Sequence, residues 1–473
     1  MISFIKFSVL ASAIFLIGIA SQNWKPETSC IKAVDKIHCK TEQVDFWKTS
    51  AEEFIHFGDG QGDVTHYLEI ARYLSEGPDL STGEKSPQLM WSLSNWPPGV
   101  PFIIYLVTTL FGGDHYFVKM LAAISVVLAG VFLTLSKLLP RCISARIYSP
   151  FLFLFLFSLP DFRYQTLTFG YIVSEGWAIA SFLLSLTFLF KALSTFMRKD
   201  ALLAGITLAV SCYIRALLDT LISITLLLLV LIGFFWLAIF WKRHSRFPRP
   251  EEFSRRFLLT SLTIFLTCSA CVAPWKLRNK KVTNRYSMCA TSDSVFDLHW
   301  ELSEKMPGWI ATTNVPCRLQ PELCRQLHEI PAEKWRYLRK SLTKAFLLLN
   351  LPDWLKFRAR DFYLFWTNYP YRPTSFPDWK WVGAWLEGLI YLVAGAIWLI
   401  SLLRKPLLGK YRAENGFFDA YLLVFMMVNG LVFLVAPYEH RYSIFLRLTF
   451  LVAGLTRLSC SLSNQDFSKG RVS

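Results

Sequence analysis

The chain has 473 residues, 53% hydrophobic and 18% charged, with a formal net charge of +16 and a mean hydropathy of +0.36. A soluble domain of this length carries more charge and fewer long apolar runs, so the composition excludes a soluble protein and points to one embedded in a membrane. The basic surplus is not a nucleic-acid footprint. Lys and Arg sit in short clusters between apolar runs, as the positive-inside rule and anionic headgroups require.

Spanning a bilayer takes about 20 apolar residues. Such runs lie at about 3–21, 116–137, 147–160, 172–192, 201–217, 220–241, 257–275, 381–403, 417–437 and 443–460. The first is read as an uncleaved span, because no small-x-small cleavage site precedes Gln22. A shorter apolar piece, 98–112, follows Pro97-Pro98 and is read as a helix that dips into the interface without crossing. Basic clusters at Lys137/Arg141/Arg146, Lys191/Arg198/Lys199, Lys242 to Arg256 and Arg404 to Arg412 then all fall on one side, the cytoplasm. The other side receives 22–97, 161–171, 276–380 and 437–442. The count is ten spans, or eleven if 98–112 crosses, which would flip every downstream cluster.

The expected fold is therefore an all-α, polytopic transmembrane bundle with two large extracytoplasmic loops that bear interfacial helices. Residues 1–275 form an N-terminal membrane module that includes the first periplasmic loop, 22–97. Residues 276–380 form the second loop and 381–473 the last helices. Phe46, Phe54, Ile55, Tyr67, Ile70, Ala71 and Leu74 recur at helical spacing and predict a helix within 45–76 lying on the membrane surface. The second loop is dense in Trp, including Trp300, Trp309, Trp335, Trp354 and Trp366, which suits the headgroup level. Cys30/Cys39 and Cys317/Cys324 are close pairs able to close small loops in an oxidising compartment. Cys268 and Cys271 form a CxxC inside a span, where packing explains them better than metal. No internal repeat is visible, which argues against an inverted-repeat transporter.

Five segments place reactive groups at the outer ends of spans. Glycines precede Asp63, which begins a helix; it is a helix cap or a surface carboxylate able to take a proton. Ser174-Glu175 opens a later span, and a carboxylate at membrane depth needs a partner or a role. Arg215 and Asp219, four apart, predict an ion pair with each other. Pro274-Trp275-Lys276-Leu277-Arg278-Asn279 puts cations where the positive-inside rule disfavours them, and a lipid phosphate would justify them. Pro437-Tyr438-Glu439-His440-Arg441-Tyr442 gathers aromatic rings, a His and an Arg in a short outer turn, either a site wall or an aromatic belt.

Taken in order, these segments resemble the GT-C class of membrane glycosyltransferases, and within it the family-39-like branch of protein-mannosyltransferases and aminoarabinose transferases. The resemblance runs from Asp63-x-x-x-Tyr67-x-x-x-Ala71, through Pro97-Pro98-Gly99-x-Pro101 with its Leu110-Phe111-Gly112 ending and Ser174-Glu175, to Pro274-Trp275-x-x-Arg278-Asn279 and Glu439-x-Arg441-Tyr442. It implies a polyprenyl-phosphate sugar donor, an acceptor lipid, glycan or protein on the outer face, and inversion at the anomeric carbon. It further implies Asp63 as general base, with either Asp59 or Glu175 as a second carboxylate, and Lys276, Arg278, His440 and Arg441 at the donor phosphate. Asp59, His66, Tyr67 and Tyr442 would line the acceptor or sugar. Many relatives carry Asp-Glu at the first motif; here Val64 follows Asp63. Hard cations want several oxygen ligands, so no metal and no other cofactor is expected. A bacterial inner membrane is the expected location. The competing classes are an O-antigen polymerase or ligase, which does not need the long acidic first loop, and a transporter, which would place charges at mid-bilayer.

Overall fold

In hydrocarbon every backbone polar group must find a partner within the protein, so long apolar runs become helices. The computed structural model describes residues 2–22, 28–33, 36–41, 63–76, 96–136, 153–168, 174–242, 249–283, 286–289, 352, 379–404, 413–435 and 444–455. Helix α1 is Ile2–Ser21. A hairpin of β1 (Thr28–Ala33) and β2 (Lys36–Thr41) follows, with Cys30 and Cys39 as cross-strand partners. Then come α2 (Asp63–Glu76), α3 (Gly99–Phe111) and α4 (Tyr116–Leu135). After a broken segment come α6 (Ser174–Thr195), α7 (Arg198–Ile214), α8 (Ala216–Lys242) and α9 (Arg249–Thr283). The chain ends in α10 (Trp379–Arg404), α11 (Ala413–Val435) and α12 (Ile444–Leu455). The protein is a multi-pass, all-α integral membrane bundle, to which the outer hairpin is a small β addition. Six of its described helices are long and apolar enough to cross a membrane by length and composition alone.

Side-chain pairing gives the relative direction of three helix pairs independently of charge. Gly18 of α1 packs on Leu121 of α4, and Gly130 of α4 reaches toward Phe7 of α1, so the two run antiparallel. Phe182 of α6 meets Phe425 of α11, and Phe190 meets Phe418, again antiparallel. Gly205 of α7 abuts Thr267 of α9, while the Tyr213 hydroxyl donates to the Cys271 carbonyl at 2.8 Å; these two helices run together. Gly395 of α10 lies under Phe450 of α12. Such glycines allow close helix approach where lipid supplies no hydrophobic drive. The resulting arrangement collects the described basic residues Lys191, Arg198 and Lys199 at one end and Gln22, Glu175, Arg215 and Lys276 at the other, called here the outer end.

Two expectations are corrected. The run at 147–160 is not a straight span. Its described part continues as a 3-10 turn (Phe153–Ser158), a four-residue helix α5 (Pro160–Arg163) and a π turn (Tyr164–Thr168). Pro160 lacks an N–H and stands at the first position of α5, where no intrahelical donor is needed, so a new helix starts there. The segment still climbs the bundle: Phe153 stacks on Phe132 of α4 at 5.5 Å, and the Leu167 carbonyl accepts the Gln22 amide at 2.7 Å. Second, α2 does not lie free on the membrane surface. Tyr67, Leu68, Ile70 and Ala71 are buried, and the helix packs on α3. The nearby apolar face of α3 supplies a better partner than headgroups; of Tyr67, Ile70, Ala71 and Leu74, Leu74 alone is exposed, at 39%. Phe46, Phe54 and Ile55 lie outside the described residues. Helix α3 itself has 13 residues, about 20 Å of helix, short of the ~30 Å hydrocarbon layer.

Candidate functional site

The outer ends of α6, α7, α8 and α9 are tied by charge. Ser174 and Glu175 open α6 and are buried at 3% and 2% exposure. A carboxylate in the first helical turn is favoured by the helix dipole, but burial demands a counter-charge. Arg215 supplies it: one guanidinium nitrogen donates to Glu175 Oε1 at 2.7 Å and to Ser174 Oγ at 2.7 Å. Asp219, one turn into α8, instead accepts Lys276 of α9 at 2.7 Å. The expected Arg215–Asp219 pair is therefore replaced by two interhelical pairs. Arg215 lies at the junction of α7 and α8 in extended backbone (φ −140°, ψ 114°), so helical i,i+4 geometry does not apply to it.

The exit of α9 explains its motif residue by residue. The Trp275 indole donates to the Met288 carbonyl at 2.9 Å, and the Asn279 amide donates to the Ser287 and Met288 carbonyls at 3.0 and 2.9 Å. Four apart on one helix face, these two side chains clamp the returning chain. They also seat Arg278, which donates to Asn279 Oδ1 at 2.7 Å and stacks over the Trp275 ring at 4.8 Å. Lys276 stands 5.8 Å from the Tyr286 ring. The result is a half-buried guanidinium, held rigidly by an amide and an indole at the bundle rim.

Helix α2 joins this end. Tyr73 stands within electrostatic reach of Arg278. His66, buried, stacks on Trp96 at 4.2 Å with Nδ1 at 3.5 Å from Glu69 Oε2. His66, Glu69 and Tyr73 fall at helical spacing along one stripe. Asp63 is the first residue of α2, ten residues before Tyr73, which is about 15 Å along the axis. Tyr67 is in the core. Asp59, His440, Arg441 and Tyr442 lie outside the described residues. Thus Glu175, Lys276, Arg278 and His66 are gathered at one end of the bundle. Arg215, read only as a local ion-pair member, and Glu69 join them. The signal for Arg215 was present as a charged residue at a helix junction, but its partner lies 40 residues away. Among the described residues no group of three or more His, Cys, Asp or Glu is set to hold a metal.

Gly99 sets the α3 corner against this network. A Cβ there would stand 2.6 Å from the Tyr213 carbonyl oxygen and 2.9 Å from Ile214 Cα, backbone atoms immediately before Arg215. Neither can swing aside, so Gly99→Ala is expected to displace the corner or the Arg215 junction, at about 1–3 kcal/mol. Thermal unfolding in detergent checks this, with Gly113→Ala as control, because a Cβ at Gly113 meets nothing within 4 Å. Equal melting of the two variants would refute the close-approach role.

The fold and its outer end define a polytopic helical membrane protein with a charged, aromatic-walled rim. No family model matches the chain, and no curated protein matches it. Among solved structures it is similar to the archaeal oligosaccharyltransferase AglB from Archaeoglobus fulgidus, in complex with an inhibitory peptide and a dolichol-phosphate. The TM-score is 0.43 at 11% identity, covering 98% of this chain and 51% of that one. The chain thus spans about half the length of that protein.

Proposed function

We propose that the protein is an inverting glycosyltransferase that moves a sugar from a polyprenyl-phosphate donor to a lipid, glycan or protein acceptor at the outer membrane face, in a bacterial inner membrane. The observation that carries this reading is the seating of Arg278 on Trp275 and Asn279, at the rim to which α2 brings Tyr73. Transfer from a lipid phosphate builds negative charge on the leaving group, and a fixed guanidinium stabilises that charge without reorganising. Lys276 reinforces the field, while Arg215 holds Glu175 and Asp219 holds Lys276 in place. Asp63 serves as base toward the acceptor hydroxyl, with Arg441 and His440 completing the phosphate side and Asp59, His66 and Tyr442 the sugar and acceptor side, while Tyr67 anchors α2 in the core.

The test is transfer of a radiolabelled sugar from a short polyprenyl-phosphate donor by protein in proteoliposomes. Arg278→Ala is expected to raise the donor KM about tenfold or more, the loss of one charge-assisted hydrogen bond. Arg278→Lys should recover only part of it, since a point charge does not reproduce the stacked, planar fork. Unchanged donor KM in Arg278→Ala would remove the phosphate role. Absence of transfer from any lipid-phosphate sugar would overturn the enzyme reading.

A further inference from the structure

A carboxylate inside a membrane span is costly unless it has work there, and Glu387 is such a group. It lies eight residues into α10, about 12 Å below the outer end of that helix, inside the apolar stretch Leu386–Leu403. Its exposure is 1%. One oxygen, Oε1, accepts the Tyr391 hydroxyl at 3.0 Å and the backbone N–H of Phe162 at 3.2 Å. The Arg447 guanidinium of α12, buried at 2%, stands 5.9 Å from the Tyr391 ring centroid.

Phe162 belongs to the broken crossing, in the four-residue helix that begins at Pro160. The first N–H groups of any helix lack an intrahelical acceptor. At a soluble surface water would serve; within a bilayer it cannot. Glu387 supplies the acceptor from a different helix. Two other polar groups nearby are settled within the segment: the Thr166 hydroxyl donates to the Phe162 carbonyl at 2.7 Å, and the Arg163 N–H to the Leu159 carbonyl at 3.0 Å. The crossing thereby hangs on α10, which is itself pinned to α12 where Gly395 meets Phe450 and Gly454 meets Ala394.

The far end of the same segment is at the site. The Leu167 carbonyl accepts Gln22 at the outer end of α1, and the chain reaches Ser174 and Glu175 seven and eight residues after Leu167. We propose that Glu387 is a positioning residue: its carboxylate, as the acceptor for the freed Phe162 amide, fixes the height of the broken crossing and so the seat of Ser174 and Glu175 on Arg215. The kinetic consequence rests on the glycosyltransferase reading; the structural consequence does not. A regular helix here would need no acceptor from α10, and a π turn is a frequent mark of a functional position.

The experiment compares Glu387→Leu, which fills the same space without an acceptor, with Glu387→Gln, which keeps one. Amide exchange followed by mass spectrometry in detergent is read over 160–168, with 198–214 and 249–283 as internal references. Glu387→Leu is expected to exchange about tenfold faster or more over 160–168 with the references unchanged, and Glu387→Gln to exchange as the parent does. In proteoliposome transfer, Glu387→Leu should lower kcat with donor KM within about twofold, and Glu387→Gln should restore kcat; a purely structural lesion would reduce the active fraction without rescue by the amide. Parent-like protection of 160–168 in Glu387→Leu overturns the proposal. So does a Glu387→Gln protein that is deprotected there, including the case in which the Leu variant fails to fold. If the parent protein transfers no sugar, the enzyme reading falls, and the exchange comparison still decides the role of Glu387.

Discussion

Asp63→Asn is expected to lower sugar transfer by about 10²–10⁴-fold while leaving the protein folded and its donor KM near the parent value. The choice of substitution separates two roles that the sequence leaves entangled. Asp63 is the first residue of α2, and a residue there can earn its place as a cap alone. Asn caps a helix about as well as Asp, so a capping role survives the change and a proton-accepting role does not. The geometry sharpens the comparison. Tyr73, within electrostatic reach of Arg278, is about 15 Å along α2 from Asp63, whereas Glu69 is one turn from Tyr73 on the same stripe and is paired loosely with His66 at 3.5 Å. Glu69→Gln is therefore the companion variant. Loss of turnover in Asp63→Asn alone assigns the base to Asp63. Loss in Glu69→Gln alone moves it along the helix toward the guanidinium. Near-normal turnover in both would end the acid–base account built on α2.

How far the sequence spoke depended on the range of the interaction that decides each feature. The long apolar runs appear as α1, α4, α6 and α8 to α11, because in lipid the backbone can satisfy itself only within the segment, a local requirement legible from local composition. The broken crossing reads as a straight helix in sequence because its apolar run looks like any other; the Phe162 N–H within it takes its acceptor from Glu387, 225 residues later in the chain. Helix α2 was expected at the lipid surface because an amphipathic pattern states that one face is buried without naming its partner, and α3 is that partner. At the site the same rule holds. Trp275 and Asn279 were noticed as a motif, and their work on the Ser287 and Met288 carbonyls is short-range. Arg215 and Asp219 were paired with each other because four-residue spacing suggests it. One extended residue at the α7–α8 junction sends them to Glu175 and Lys276 instead.

Arg215→Met is expected to be the most destabilising single change at the outer end. It removes the counter-ion of a carboxylate that is 2% exposed, and breaking a buried pair from one side costs about 3–5 kcal/mol because the surviving charge stays buried. Ser174 Oγ loses its donor as well. The sign of the effect depends on the partner left behind. Glu175→Gln removes the charge, so the double variant Glu175→Gln/Arg215→Met should regain much of the stability that Arg215→Met loses. The cycle of four proteins, followed by thermal unfolding in detergent, should report a coupling of about 2–3 kcal/mol. Additive losses would mean that the 2.7 Å contact contributes nothing beyond the two side chains taken singly. Function supplies a separate test: if Arg215 only neutralises Glu175, the double variant recovers transfer along with stability. If Arg215 also sets the rim that receives the donor, stability returns and transfer does not, because the 2.7 Å tie between α6 and the α7–α8 junction is gone.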